Sequence, residues 1–353
     1  MSLDYSALRN ILFRLPPEGA HTFAEFALRG AEKIPFALGA IANRYAAIDL
    51  SLKQTLFGLD FHNPFGVAAG FDKNATMIRP LAALGFGFIE VGSITPKPQS
   101  GNPKPRLWRH IERRSLQNAM GFNNDGLDAV LARVKTLTPF AIPIGVNLGK
   151  NKTTANEKAL EDYEIGVKKA ALVADYLAFN LSSPNTPNLR DLQSESFIRD
   201  LFAMARSITQ KPAFLKIAPD LSAKEAIALS VAAIDSGSSG IIAANTTNDY
   251  SLIAGSEPNG GGLSGACLSE KSREFFKAIA KELFGKTTLI SSGGIMDASE
   301  AWLRIKLGAS LIQGFTGFIY GGAAFAKTVN SKIAEKIKAE GFANVSEAVG
   351  SAL

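Results

Sequence analysis

The chain has 353 residues, 46% of them hydrophobic and 20% charged, enough for one large domain with a substantial core. A single cysteine, Cys267, excludes an internal disulfide framework, a cysteine-rich zinc site and an iron–sulfur cluster held by this chain alone. The net charge of +6 suits anionic partners in general but singles out none without a basic cluster, and no apolar run approaches the roughly 18 residues that span a bilayer. The lone cysteine makes a reducing cytoplasm the expected setting, the first residues lack the order of a secretory signal, and the opening Met-Ser-Leu carries no functional reading.

Residues 1 to about 45 stand apart from the rest of the chain. "DYSALRNILFRL", "GAHTFAEFALRGAEKI" and "FALGAIANRY" have helical spacing, are broken by Pro16-Pro17 and Pro35, and carry Arg9, Arg14, Arg29, Lys33 and Arg44. Two compatible roles are open: a lid packed on the remainder of the protein, or an element lying in a membrane interface. Short β-rich runs then recur: VAAGF (67–71), FIEVG (88–92), IPIGVNL (142–148), YLAFNL (176–181), AFLKIA (213–218), GIIAAN (240–245), TLISSG (288–293) and SLIQGF (310–315). Helical segments alternate with them, from "KNATMIRPLAALG" to "ASEAWLRIKLG", several closed by glycine. Eight such units predict an α/β protein of the (β/α)8, TIM-barrel class with an N-terminal helical extension; the boundaries are 1–45 for the extension, 46–340 for the barrel and 341–353 for a tail. Two gaps exceed a single helix. "SITPKPQSGNPKPRLWRHIERRSLQNAMGFNNDG" is expected to cross the barrel mouth with short strands, and "TTNDYSLIAGSEPNGGGLSGACLSE" to form a second long loop on the same side.

Barrel active sites form at the C-terminal ends of the strands. That rim reads Lys73, Ser93, Asn147, Asn180, Lys216, Asn245 and Gly293-Gly294, amides and lysines with hardly a carboxylate, which suits an electron-rich, planar, amide-bearing ligand. Each asparagine alone is more simply a turn or cap residue; the set is harder to explain that way. For Lys216, in "FLKIA", three readings stay open: a Schiff-base amine, a charge beside a cofactor ring that becomes anionic on reduction, or the partner of a carboxylate inside the barrel. "SSGGI" (291–295) and "GFTGF" (314–318) fall where such barrels bind phosphate through backbone N–H groups.

Nine motifs in order, "AAGFDKN", "VGSITPKPQSGNPKPRLWR", "NAMGFNNDG", "GVNLGKNK", "NLSSPNTPNLR", "LKIAPDLS", "NTT", "GGLSG" and "SGGI", resemble the dihydroorotate dehydrogenase family over essentially the whole chain. The resemblance implies a barrel that oxidises dihydroorotate to orotate in pyrimidine synthesis, with flavin mononucleotide (FMN) as prosthetic group and no metal. It places the catalytic base at Ser183, where the soluble classes have cysteine; a serine is the mark of the membrane-associated class that uses a quinone. A lone hydroxyl is a poor base, so a relay through water and Thr186 is expected. Matching substrate positions are Lys73, the run Asn118, Ala119, Met120, Gly121 and Phe122, and Asn180, Asn185, Asn245 and Thr246. Flavin positions are Ala69, Gly70, Phe71, Asp72, Lys73, Ser93, Asn147, Asn180, Lys216, Ala244, Gly265, Gly294, Phe315 and Thr316, with Lys216 beside the flavin pyrimidine ring. The extension reads as a quinone tunnel touching lipid, with His21 and Arg109 at the quinone site, on a monomer peripheral to the cytoplasmic side of the cell membrane. It has neither an iron–sulfur partner subunit nor a nucleic-acid partner. Phe315 and Ala244 depart from a frequent tyrosine and threonine of the family. The rivals are a dihydrouridine synthase, which would bring a catalytic cysteine and a basic RNA surface, and a non-enzymatic binding barrel, whose rim residues would be eroded.

Overall fold

The computed structural model describes residues 5–186, 188–253 and 260–353; the first four residues, Pro187 of the serine loop, and 254–259 of the second long loop lie outside it. Eight parallel strands close into a barrel in sequence order: Phe65–Val67, Ile89–Ile94, Ile144–Leu148, Tyr176–Asn180, Ala213–Ile217, Gly240–Ala243, Thr288–Ser292 and Leu311–Gly314. Nearly every strand residue is buried, as expected for strands covered on both faces. The helices outside form for local reasons. Glu195–Ile208 is capped by Ser194 and buries Ile198, Leu201, Phe202 and Ala205, one face at helical spacing. Ala223–Asp235 opens on a reciprocal capping box between Ser222 and Glu225.

Two boundaries differ from the expected ones. The first strand ends at Val67, so Ala69 to Phe71 belong to the loop beyond it. The helix expected from Lys73 begins only at Ile78, because the Asp72 carboxylate accepts the Thr76 and Met77 N–H groups and Ala75 takes a positive φ of 56°.

The lower end of the barrel is packed with Phe88, Tyr176, Phe214, Ile242, Ile290 and Leu311, and the hairpin Gln54–Leu56/Leu59–Phe61 adds Phe61, Leu56 and Leu59 beneath them. The upper end carries a three-stranded antiparallel sheet ordered Leu107–His110, Ser115–Asn118, Gly262–Gly265, so the two long loops pair with each other above the mouth. Helices α1 (Tyr5–Leu12) and α2 (Pro17–Glu32) stand on the same end, while α3 (Ala37–Tyr45) packs on the flank against Ile78–Ala83, with the Tyr45 carbonyl close to Gly85 below the second strand. Together they bury only Ala20 among their residues. Among the described residues no helix is long and apolar enough to cross a bilayer. The last residues are docked, with Val345 and Ala348 fully buried and Ala352 donating to the Lys306 carbonyl at 2.9 Å.

Candidate active site

Above the apolar floor the barrel interior turns polar. Glu90, fully buried in the second strand, accepts from Lys216 Nζ at 3.1 Å and Asn147 Nδ2 at 2.9 Å through Oε1, and from Gln313 Nε2 at 2.7 Å through Oε2. Asn147 Oδ1 takes the Ser93 hydroxyl, Ser93 Oγ takes Asn180 Nδ2 at 2.9 Å, and Asn180 Oδ1 takes Asn245 Nδ2 at 3.3 Å. One connected network therefore runs from the barrel interior to its rim. The Gln313 Oε1 acceptor is buried without a partner among the described residues. Such an atom normally calls for a donor from water or ligand.

Ser183 lies in the loop after the fourth strand and is nearly buried; its Oγ accepts the Asn185 N–H at 3.3 Å. Asn185 Nδ2 donates to Asn118 Oδ1 at 2.9 Å, and Asn118 Nδ2 to the Gly262 carbonyl at 3.4 Å, which joins the serine loop to the sheet above. The Thr186 hydroxyl is buried with no partner among the described residues. Arg190 holds the loop from outside, donating to the Ser182 carbonyl at 3.0 Å while pairing with Asp220 at 3.0 Å. Lys73 donates to the Gly70 carbonyl at 2.6 Å; removal from solvent lowers its ammonium pKa from 10.5 to about 8, with Glu18 the largest opposing influence.

Lys216, Gln313, Ser93, Asn180, Ser183, Asn185 and Lys73 line one cavity of about 650 Å³, within the range of small-molecule sites. Its lining continues upward to Leu8, Phe13, His21, Phe23, Leu28 and Arg109, so α1 and α2 form the walls of its outer part. His21 packs edge-on to Phe71 with ring centroids 5.2 Å apart, and burial, reinforced by the Lys73 charge, lowers its pKa from 6.5 to about 4. Arg109 donates to the Leu15 carbonyl at 2.7 Å and lies 4.6 Å from the Phe13 ring centre.

On the opposite wall the loops after the seventh and eighth strands meet strand Gly262–Gly265. A Cβ on Gly294, at φ +72°, would stand 2.4 Å from Ser269 Cα, and one on Gly265, at φ +101°, 2.6 Å from the Arg114 carbonyl, so only glycine lets these backbones close up. Arg304, fully buried, braces the loop from behind: it bonds the Ser291 hydroxyl at 3.0 Å, the Ser272 hydroxyl at 2.8 Å and the Ser269 carbonyl at 2.9 Å, with Glu300 at 2.7 Å as counter-ion.

Of the residues singled out from the sequence for the site, all but three reach the cavity wall; one of the three, Thr186, is buried outside the lining. Asn147 is buried behind it, between Ser93 and Glu90, and Ala119 lies outside the lining, its backbone bonded to Arg106 and Asn102. Asp72 lines the wall, but its carboxylate is committed to the Thr76 and Met77 N–H groups. Lys216 has the carboxylate partner that one of its open readings expected, Glu90, and it also lines the cavity. Sequence reasoning saw hardly a carboxylate here and missed Glu90. The signal was present: one acid inside the apolar run "FIEVG" cannot be buried without cations or donors around it. Gln313, Glu18, Arg106 and Asn102 were also missed.

A family model described as Dihydroorotate dehydrogenase matches residues 51–337. The chain is 53% identical over 348 residues to a protein named dihydroorotate dehydrogenase (quinone) from a Nitratiruptor species, covering 99% of each chain. It is 53% identical over 349 residues to the protein of the same name from Sulfurimonas denitrificans, again over 99% of each. Among solved structures it is similar to DHODH from Eimeria tenella in complex with ferulenol, with a TM-score of 0.85 and 36% identity over 95% of both chains.

Proposed function

The chain belongs to the dihydroorotate dehydrogenase family, and from that premise we propose that the cavity at the barrel mouth holds FMN and dihydroorotate and admits a quinone between α1 and α2. The family is flavin-dependent and oxidises dihydroorotate to orotate in pyrimidine biosynthesis; the members matched over the full length here are the quinone-dependent ones. The observation that carries the proposal is the convergence of Ser183, Lys73, Asn118, Asn180, Asn185 and Asn245 on the same cavity as Lys216 and the two glycine loops.

The donor set fits FMN. Lys216 and the unpartnered Gln313 carbonyl offer a cation and an acceptor for a planar ring bearing amide groups, with Ala69, Gly70, Ser93 and Ala244 leaving room for it. Gly265, Gly294 and Thr316 border a phosphate position where backbone N–H groups, not side chains, are the donors. Phe315 packs on Phe71 at 5.6 Å and contributes a hydrophobic face in place of a hydroxyl. When bound, the flavin supplies the hydride acceptor.

The protein's own groups do the rest. Lys73 neutralises the substrate carboxylate, and Asn118, Asn180, Asn185, Asn245 and Thr246 surround a ring with donors and acceptors on every edge. The carbon next to the ring carbonyl gives up a proton, its neighbour a hydride, and the double bond of orotate forms between them. Ser183 Oγ takes that proton, and its own hydroxyl proton passes on through water, for which the buried Thr186 hydroxyl, unpartnered among the described residues, is the candidate acceptor. His21 and Arg109 flank the quinone approach. Exposed Leu8, Ile11, Phe23, Phe26, Ile34 and Phe36 give the extension a lipid-facing surface, peripheral at the cytoplasmic side of the cell membrane. The quinone comes to the same cavity as the flavin, so a monomer without an iron–sulfur subunit suffices.

The test is anaerobic. Dihydroorotate should bleach the flavin of the purified protein, and a soluble quinone, rather than fumarate or NAD, should restore the colour. Bound flavin that dihydroorotate cannot bleach would overturn the substrate assignment.

A further inference from the structure

We infer that Arg106 and Asn102 are positioning residues that make the geometry of the dihydroorotate site depend on the seating of α2, with Glu18 as the contact on the helix; this rests on the substrate assignment above. Glu18, in the first turn of α2, receives Arg106 Nε at 3.0 Å and Nη2 at 3.0 Å, while the more exposed Lys104 stays 3.8 Å away. Arg106 Nη1 points the other way and donates to the carbonyls of Ser100 at 2.5 Å and Asn102 at 2.9 Å. Asn102 then uses all its polar atoms. Its N–H donates to the Met120 carbonyl at 3.0 Å, and its Nδ2 to the carbonyls of Ala119 at 2.9 Å and Asn185 at 3.1 Å. Its Oδ1 accepts Lys152 at 2.9 Å. Asn185 is the residue whose N–H reaches Ser183 Oγ and whose amide reaches Asn118. Successive hydrogen-bonded contacts therefore lead from the helix to the serine and to a substrate amide.

The relay is tightly packed as well as bonded. A Cβ on Gly101 would stand 2.3 Å from the Met120 carbonyl, and one on Gly121 2.8 Å from Asn102 Cγ, so neither loop can shift independently of the other. Arg106 is 7% exposed, and a guanidinium that deep keeps its orientation only while a carboxylate pairs with it. When α2 lifts, Glu18 leaves with it, and the Arg106 fork is free to turn to water and release the Ser100 and Asn102 carbonyls. Because α2 also carries His21, the element that shapes the quinone end is the one whose seating sets the substrate end. The two-state element that any such coupling requires is the helix, seated or lifted.

The experiment follows anaerobic flavin reduction in the full-length, flavin-loaded protein as a function of dihydroorotate concentration. Glu18→Gln is expected to raise the half-saturating concentration at least about tenfold and to change the limiting rate less than about twofold. Arg106→Gln should do the same, and adding Glu18→Gln to Arg106→Gln should have no further effect. Arg106→Lys keeps the charge but loses the fork, and should behave as Arg106→Gln. An unchanged half-saturation in Glu18→Gln, additive effects in the double variant, or a wild-type-like Arg106→Lys would each overturn the relay. A wild-type enzyme that dihydroorotate does not reduce would instead remove the substrate assignment, and the inference with it.

Discussion

Mild acid should loosen α2, and His21 should be the cause. Its imidazole is wedged between the helix and Phe71, and removal from water, followed by repulsion from Lys73, lowers its pKa from 6.5 to about 4; Glu25, Glu18 and the Phe71 backbone oppose this without reversing it. The seated helix thus prefers a neutral imidazole, whereas the lifted helix takes up a proton near the ordinary value. Stability of the seated state is fully present above about pH 6.5 and is lost as pH falls toward about 4. The whole shift corresponds to about 3.4 kcal/mol. At about pH 5.5, where ordinary carboxylates remain ionised, about 1.4 kcal/mol should already be gone, a roughly tenfold larger lifted population. Hydrogen exchange of the amides of Pro17–Glu32, corrected for intrinsic rates, reads that population at pH 7.5 and 5.5. His21→Gln should remove the pH term. Equal corrected protection at the two pH values, or an acid-dependent loss that survives in His21→Gln, would refute the argument.

Other outcomes are expected at the mouth of the barrel. Ser183→Ala should keep its flavin, because among the described residues the hydroxyl accepts only the Asn185 N–H, yet dihydroorotate should reduce that flavin at least about a hundredfold more slowly; stopped-flow absorbance decides. With the free-enzyme Lys73 at about 8, kcat/KM for dihydroorotate should decline above about pH 8 as the ammonium is lost, and Lys73→Gln should be slow and flat across that range. Gly294→Ala, at φ +72° with Ser269 Cα 2.4 Å from the new methyl, should purify with less flavin per chain than the wild type, measured by absorbance after denaturation. Arg304→Met should lower the thermal midpoint and flavin content together while the Arg273–Glu300 pair at 2.8 Å persists; full flavin retention would separate the brace from the cofactor loop.

The barrel was legible because burial on both faces writes each strand as a short apolar run, and the glycines and asparagines after those runs marked the rim. What escaped was set by distance in sequence. The pairing of Ser115–Asn118 with Gly262–Gly265 joins two long loops, and no local pattern in either names the other. The first strand was placed too late because "VAAGF" is as apolar as "FGV"; hydrophobicity does not distinguish a strand from the buried loop after it. Asn102 and Arg106 sit among prolines and glycines in a stretch that reads as an irregular loop, and their importance comes only from partners tens of residues away, Glu18 and Asn185. Lys73 and Lys216 stood out in the sequence because charged residue types at strand ends carry meaning of their own, and Ser183 through the family resemblance, whereas a positioning residue has no composition that betrays it.

Lys216 and Glu90 show how core and site requirements coincide. Lys216 is carried inside a barrel whose lower end is phenylalanine and isoleucine, and an unpaired ammonium there would be prohibitive. Glu90 at 3.1 Å makes the pair neutral, so the charge is present locally without a net charge in the core. The acid in turn has four lone-pair directions to satisfy, and Asn147 and Gln313 occupy two of those that Lys216 leaves. Asn147 is thereby fixed, and with it Ser93, Asn180 and Asn245, which reach the rim. The amides at the rim are oriented by the same carboxylate that permits the lysine. For this reason one buried acid, Glu90, fixes both the lysine inside the barrel and the amides at its rim.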